Sequence, residues 1–444
     1  MNRRSFLAQS SSAGLLAAFT ASSPASAAPV SALNVIDRGA RGDGTGDDTA
    51  AIQKALDAAA EKGGVVWLPA GRYAVRGTLS VPEGVTLEGV WRGIHSTSQL
   101  DKGTTLLAYA GRGNENAMPF ISLKSGSALK GVSIFYPEQQ ITDIRPYPWT
   151  IQGKGQLFSV IDVTVVNPYN GIDCGTYWNN CHSLRNVLLG AVNIGVYVDQ
   201  CTDVGRMENV HIHPIYWMFI PKPFGEGLDK QSDALMNYCR AHLVGFLIGR
   251  TDWEYISNSF VIWARVGFHF VKRPSGTANA LITQSGSDLG PLAIKVDELQ
   301  WHCGVAFENC QFMCGLEIGP DNTGPVKLTN CGFFWTQSRV SSGSQLILEG
   351  QGTVTLIATQ FARWDKAGKG DYCIDARAGS LLMHGCDFMG FNDENRKERT
   401  KSPHLRLGKG LSSAAIVGNR FEGGESRILN ESKGDVQMVA NVSS

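Results

Sequence analysis

Apolar and polar residues alternate along this chain with a period of two, in short runs closed by Gly, Asn or Asp, and this predicts strands and turns. A unit recurs in which an apolar or polar lead residue is followed by Asn or a substitute and then by alternating apolar positions. It reads Ile161-Asp162-Val163, Arg185-Asn186-Val187, Glu208-Asn209-Val210, Asn258-Ser259-Phe260, Asn309-Cys310-Gln311-Phe312, Asn330-Cys331-Gly332-Phe333 and Gly418-Asn419-Arg420-Phe421. Successive units lie about 21 to 33 residues apart, or about twice that where a degenerate unit intervenes, which is the range of solenoid repeats. Asn suits a one-residue corner because it tolerates the left-handed conformation. A second strand usually begins with Gly: Gly171-Ile172-Asp173-Cys174, Gly195-Val196-Tyr197-Val198, Gly245-Phe246-Leu247-Ile248, Gly267-Phe268-His269-Phe270 and Gly315-Leu316-Glu317-Ile318. Alternation puts Ile172, Val196, Phe246, Phe268 and Leu316 inside and their successors outside.

These repeats predict an all-β fold, a single-stranded right-handed parallel β-helix of roughly a dozen coils stacked ~4.8 Å apart. Phe260, Phe312, Phe333, Phe361, Phe388 and Phe421 form the expected interior aromatic column. A β-sandwich would need hairpins, and Asn-Gly or Asp-Gly pairs between adjacent strands are scarce. An open solenoid end needs a cover. Residues 48–61 supply one, a helix capped by Asp48 or Thr49 with Ile52, Leu56 and Ala59-Ala60 on one face, stopped by Gly63-Gly64.

Composition refines this picture. The 51 glycines among 444 residues suit many tight turns. Lys+Arg and Asp+Glu balance at 40 each, so no global field favours nucleic acid or an anionic membrane. None of the ten cysteines forms a Cys-x-x-Cys zinc spacing, and Cys310, Cys331 and Cys386 recur as small fillers of one interior slot. Arg3-Arg4-Ser5-Phe6-Leu7, the apolar stretch Gly14 to Ala21 and Ala25-Ser26-Ala27 read as an export signal over residues 1–27, similar to the twin-arginine type. Residues 28–444 then form one β-helix domain with its cap at about 35–62, periplasmic or secreted. No later stretch approaches the ~20 apolar residues of a membrane span.

Asp37-Arg38-Gly39-Ala40-Arg41-Gly42-Asp43-Gly44, Asp47-Asp48-Thr49-Ala50-Ala51-Ile52 and Gly64-Val65-Val66-Trp67-Leu68-Pro69-Ala70-Gly71-Arg72-Tyr73 resemble the N-terminal motif of the pectate lyase superfamily, including family 28 glycoside hydrolase relatives. That resemblance covers about residues 35–95 and implies the β-helix fold and action on carbohydrate. It does not specify the reaction, since the superfamily includes hydrolases, lyases and phage tailspikes. Asp43, Asp47 and Asp48 read as structural. The Asn-Thr-Asp, Asp-Asp, Gly-His-Gly and Arg-Ile-Lys signatures of polygalacturonases are not found on the central coils.

The outward positions of the Gly-started strands and the turns after them would line a groove. They hold Asp173, Tyr177, Trp178, Tyr197, Asp199, Asp203, Trp217, Lys222, Arg250, Asp252, Trp253, Glu254, His269, Lys272, Arg273, Glu317 and Asp321. Flat apolar rings beside charged acceptors suit a polysaccharide or oligosaccharide. The expected catalytic groups are two of Asp199, Asp203, Asp252 and Glu254, acting as proton donor and base in a glycosidase. With an intervening strand near Trp217–Ile220, Asp199 and Asp252 fall two coils and roughly 9–10 Å apart, near the upper limit for an inverting pair. The expected substrate-binding residues are Asp173, Trp178, Tyr197, Trp217, Lys222, Arg250, Trp253, His269, Lys272 and Arg273. Hydrolysis needs no cofactor. A polysaccharide lyase is the second reading, with Ca²⁺ held by Asp173 and Asp199 and a base among Lys222, Lys272, Arg250 and Arg273. A glycan-binding protein without catalysis is the third. His211 and His213 share a strand face but lack a third ligand, and read as structural. Monomer and trimer are both open.

Overall fold

The computed structural model describes residues 32–91, 100–225, 228–334, 343–364, 371–393, 395–422 and 427–443. The expected export signal lies outside the described residues. Every pairing between the described strands is parallel, and away from the two ends each strand pairs with strands one coil before and one coil after it. The coils therefore build three faces. Face 1 runs through strands such as Gly64–Leu68, Thr251–Ser257 and Ala278–Thr283. Face 2 runs through Phe260–Ile262, Gly286–Asp288 and Gly332–Phe334. Face 3 runs through Asn170–Cys174, Ile194–Val198, Val244–Ile248, Val266–Phe270 and Leu292–Val296.

The corner from face 1 to face 2 is left-handed, as the Asn repeat requires. Asp162, Asn186, Asn209, Asn258, Asn309 and Asn330 all have φ between 50° and 55°. Their amides bond from coil to coil: Asn186 Nδ2 donates to Asp162 Oδ1 at 2.8 Å, and Asn330 Nδ2 to Asn309 Oδ1 at 2.8 Å. In the last of these units Gly418, at φ 64°, takes the corner, and Asn419 is buried one place later. Asn309→Ala keeps the strained backbone but loses the amide ladder. A cost of about 1–3 kcal/mol is expected, read from the urea midpoint, with Asn309→Gly costing less.

After the first three corners the inward residue is Val163, Val187 or Val210, but from Asn258 to Gly385 the residue directly after the corner is small and polar and bonds back to the carbonyl two places earlier. Ser259, Ser285, Cys310, Cys331, Thr359 and Cys386 do this in turn, with Ser259 Oγ to Ser257 O at 2.9 Å and Cys310 Sγ to Glu308 O at 3.3 Å. A thiol here alternates with hydroxyls of similar size, which explains the cysteine repeat, and no disulfide joins any of the ten cysteines. The aromatic column is real for five of its six members. Phe312, Phe333, Phe361, Phe388 and Phe421 stack with centroids 4.8–5.8 Å apart. Phe260 is the exception. It pairs with Gly286, so Val261 holds the interior place and Phe260 turns out against His211. Phe260 stands two places after its corner Asn258, whereas Phe312 and Phe333 stand three places after Asn309 and Asn330, and that one-residue difference flips the face.

Face 3 also follows the alternation. Ile172, Val196, Phe246, Phe268, Ile294 and Leu316 are wholly buried, and their successors form one outward row, Asp173, Tyr197, Leu247, His269, Lys295 and Glu317. The leading glycines are required by close approach: a Cβ at Gly171 would lie 2.3 Å from Gly195 O. The cap is the helix α1 (Thr49–Ala59), which buries Ile52, Ala55, Leu56 and Ala59. Asp48 stands at its N-cap position, yet its carboxylate accepts from Arg41 N and Gly42 N, tying down the preceding loop rather than the helix.

Residues 213–243 do not form a coil. They run between the face 2 strand ending at Ile212 and the face 3 strand starting at Val244, as short 3-10 helices and the helix α2 (Ser232–His242). Trp217–Ile220, expected as a strand, lies in and just after the 3-10 helix Pro214–Phe219. Pro214 and Pro221 supply the φ values such turns use. Consequently Ile194–Val198 pairs directly with Val244–Ile248, and Asp199 is one coil, not two, before the turn that carries Asp252.

Candidate functional site

A cleft of about 710 Å³ opens on the turns leading from face 3 to face 1. It is lined by Thr202, Asp203, Arg250, Asp252, Trp253, Gly276, Thr277, Asn279, Gln300, His302 and Cys303. The turns stack like strands: Cys201 bridges in parallel with Asn179 on one side and Thr251 on the other. Cys201 and Thr251 point in and are fully buried, whereas Thr202, Asp203 and Asp252 line the opening.

Asp252 is the most strongly held carboxylate in the cleft. The Arg250 guanidinium donates to both its oxygens through Nε and Nη2, and Gln300 Nε2 donates at 2.6 Å. Partial burial works against its charge, but these donors and the positive fields of Arg250 and His302 outweigh it and hold the carboxyl below the usual range. Asp252 is therefore an ionised acceptor across neutral pH. Asp203 is exposed at the cleft rim, where it accepts from Val204 N at 2.8 Å and lies 3.7 Å from Cys181 Sγ. Trp253 is 44% exposed beside them, in a left-handed conformation at φ 70°.

That conformation moves Glu254 out of the groove. The register slips between Asp252 and Glu254, so Glu254 points into the coil instead of alternating outward. It is wholly buried, with Oε1 3.0 Å from His182 Nε2 and Oε2 accepting from Thr251 Oγ1 at 3.1 Å. His182, Gly205 and Glu254 occupy one interior column on consecutive coils. Gly205 has no side chain, so His182 and Glu254 meet across it; a Cβ there would lie 2.2 Å from Glu254 Oε2 and 2.5 Å from His182 Cε1. Burial alone would lower the His182 pKa, but the Glu254 carboxylate and hydrogen bonds to Cys201 and Glu254 reverse this and push it up to about 10.

Asp199 is likewise a structural acceptor. Its Oδ1 takes Arg250 N at 2.7 Å and Ser275 Oγ, and its Oδ2 takes Tyr197 Oη at 3.1 Å, leaving it 5% exposed. Asp173 is outward in register yet fully covered, accepting from Gln152 Nε2, Gly175 N and Thr176 N. The oxygens of Asp173 and Asp199 face N–H and O–H donors, so these two residues do not fit a Ca²⁺ ion.

The remaining expected binding residues fall into three groups. Arg250 and Trp253 line the cleft, and Trp178, 51% exposed, borders it through Nε1 to Thr202 Oγ1 at 3.2 Å. Tyr197, His269, Lys272 and Arg273 lie along face 3. Arg273 sits 5.4 Å over the Tyr197 ring, His269 bonds Asp297 at 2.8 Å, and Lys272 pairs with Glu298 at 3.0 Å. A second cleft of about 430 Å³ continues this line past Lys295, Asp297, Glu317, Glu349 and Arg377. Trp217 and Lys222 belong to neither. Trp217 is 1% exposed in the core, and Lys222 stands on the inserted segment. His211 and His213 pack with Tyr216, Phe260 and Trp263 at face 2, away from the cleft. Gln300, His302, Asn279 and the buried His182 were not singled out from sequence. The Gln300-Trp301-His302 turn before an alternating strand is a signal for Gln300 and His302, whereas nothing local marks Asn279 or His182.

Residues 32–132 match the family model described as "Rhamnogalacturonase A/epimerase, pectate lyase-like". Among curated proteins, mannuronan C5-epimerase AlgE3 of Azotobacter vinelandii is 67% identical over 46 residues, 10% of this chain and 2% of that protein. Alginate lyase 7 of the same organism is 51% identical over 55 residues, 12% of this chain and 6% of that protein. The chain thus matches only a small part of the length of these relatives. Among solved structures, the N-terminal fragment of bacteriophage phi29 gene product 12 superposes with TM-score 0.61 at 13% identity, covering 92% of this chain and 70% of that one. A DFA-IIIase variant from Arthrobacter chlorophenolicus gives TM-score 0.50 at 11% identity, covering 90% and 98%. These likenesses speak to the fold alone. Among the described residues no helix is long and apolar enough to cross a membrane. Over residues 32–132 the chain is similar to that pectate lyase-like family, and its coils make it a parallel β-helix.

Proposed function

We propose that the chain is an exported carbohydrate-active enzyme that lays a glycan along face 3 and cleaves it by hydrolysis in the cleft beside Asp252. The observation that carries this reading is the pairing in one open cleft of an Arg-held, ionised carboxylate, Asp252, with an exposed one, Asp203, next to an exposed Trp253. Glycosidic hydrolysis needs a proton donor and a base or nucleophile. Asp252, kept ionised, takes the base or nucleophile role, and Asp203 the donor role. Trp253 gives a sugar ring an apolar face, and Gln300 and Asn279 offer amides to hydroxyls.

β-Elimination on a uronate polymer is the second reading. Arg250 and His302 in the same cleft favour it, as cation and base beside a uronate carboxylate, and the names of the matched relatives include an alginate lyase. Incubation with a panel of plant and microbial polysaccharides, followed by mass spectrometry, separates the two. Products heavier by one water are expected; unsaturated products of unchanged total mass would replace hydrolysis by elimination. Binding without any product would leave a glycan-binding protein. Trp253→Ala is expected to raise KM about tenfold with kcat little changed, as measured by initial rates on the active polymer.

A further inference from the structure

We propose that His182, Cys201 and Glu254 form a buried site for one divalent cation of the zinc class, beneath the floor of the cleft. Their ligating atoms lie within 4.8 Å of one another, and all three side chains are completely buried. Tetrahedral zinc, with bonds of about 2.0–2.3 Å, spaces its ligands about 3.3–3.8 Å apart, so small rotations of these side chains would bring all three onto one ion, leaving the fourth position to a non-protein ligand such as water. Imidazole and thiolate select zinc over calcium or magnesium.

The surroundings orient the ligands. Asn179 Nδ2 faces three carbonyl oxygens, of Cys174, Tyr177 and Asp199, at 2.7–3.2 Å. Its amide is therefore fixed with Oδ1 toward His182 Nδ1, at 2.8 Å, and that nitrogen must carry a hydrogen. This leaves His182 Nε2 as the ligand, the arrangement in which a second partner sets the tautomer of a metal-bound histidine. Thr251 Oγ1 holds the other Glu254 oxygen, and Gly205 keeps the space between His182 and Glu254 open. Binding would release the Cys201 thiol proton and the proton shared by His182 and Glu254 to solvent, leaving neutral imidazole, thiolate and carboxylate on the cation. Because Cys201 is followed by Thr202 and Asp203, and Glu254 is preceded by Asp252 and Trp253, the ion would clamp the two turns that make the cleft wall.

The test uses the full chain, reduced and chelator-treated, titrated with cobalt(II) chloride and then zinc. One equivalent of cobalt is expected to give tetrahedral visible bands and a thiolate-to-cobalt charge-transfer band. Zinc should displace both and raise the thermal midpoint. Cys201→Ser should abolish the charge-transfer band, while Cys181→Ser and Cys303→Ser, at the two part-exposed thiols, should keep it. No variant is needed for the companion measurement. X-ray absorption of the zinc-loaded protein should show one sulfur at about 2.3 Å and nitrogen or oxygen at about 2.0 Å. No cobalt band, a band that survives Cys201→Ser or follows Cys181 or Cys303, or a zinc shell without a single sulfur would overturn the site. Glycan hydrolysis is read separately, so either result leaves the proposed reaction to stand or fall by itself.

Discussion

Glu254→Gln is expected to lower the unfolding free energy by about 3–5 kcal/mol, the usual cost of removing one partner from a buried ion pair. The pair is wholly enclosed, and no water can take over from the lost charge. His182 would keep its bond to Asn179 but face a neutral amide across Gly205. Urea denaturation of wild type, Glu254→Gln and the double variant His182→Leu/Glu254→Met checks this. The double variant should recover much of the loss, because apolar groups in that column need no partner. A Glu254→Gln loss below 1 kcal/mol would mean that the charges do not hold the column together.

The same pair sets a pH dependence in chelator-treated protein. The His182 pKa rises on folding from its ordinary value of 6.5 to about 10. Between those values the folded state binds more protons than the unfolded state, so stability falls as pH increases. The contribution is fully present below pH 6.5 and is lost as pH rises through about 10. Denaturation midpoints measured across that window should decline, and His182→Leu/Glu254→Met should flatten the decline.

The largest effect on activity is expected at Asp252. Asp252→Asn should cut kcat by about 10²–10⁴-fold, the range for losing a positioned acid–base group, with a normal thermal melt. The amide keeps one acceptor for Arg250 but cannot take a proton or attack carbon. Asp203→Asn should lose a similar factor while leaving stability unchanged, since the group is exposed. Asp199→Asn should act differently. Asp199 joins Arg250 N, Ser275 and Tyr197, so its loss should appear mainly as a lower melting temperature. If Asp199→Asn destroyed turnover with a normal melt while Asp252→Asn did not, the assignment would be reversed.

Sequence alone determined the solenoid. Its period-two alternation, its left-handed Asn corners and its small residues after them are local rules, repeated coil after coil, and each repeat reads the same backbone conformation. The inward row Ile172, Val196, Phe246, Phe268 and Leu316 follows from that alternation and needs no tertiary information. Cleft membership was partly legible too, because Asp203, Arg250, Asp252 and Trp253 follow outward strands directly.

Tertiary structure decided everything that depended on counting coils or on a local break in alternation. Residues 213–243 carry apolar residues of strand-like composition, and only the direct pairing of Ile194–Val198 with Val244–Ile248 reveals them as an insertion that buries Trp217. A single residue slip at Trp253 turns Glu254 from groove to core. Period two makes such a slip invert the side chains after it, and no local signal announces this one, whereas the outward turn of Phe260 is legible in its shorter offset from Asn258. His182 and Glu254 are 72 residues apart in the chain, and they meet because stacking puts both in one column with Gly205 between them.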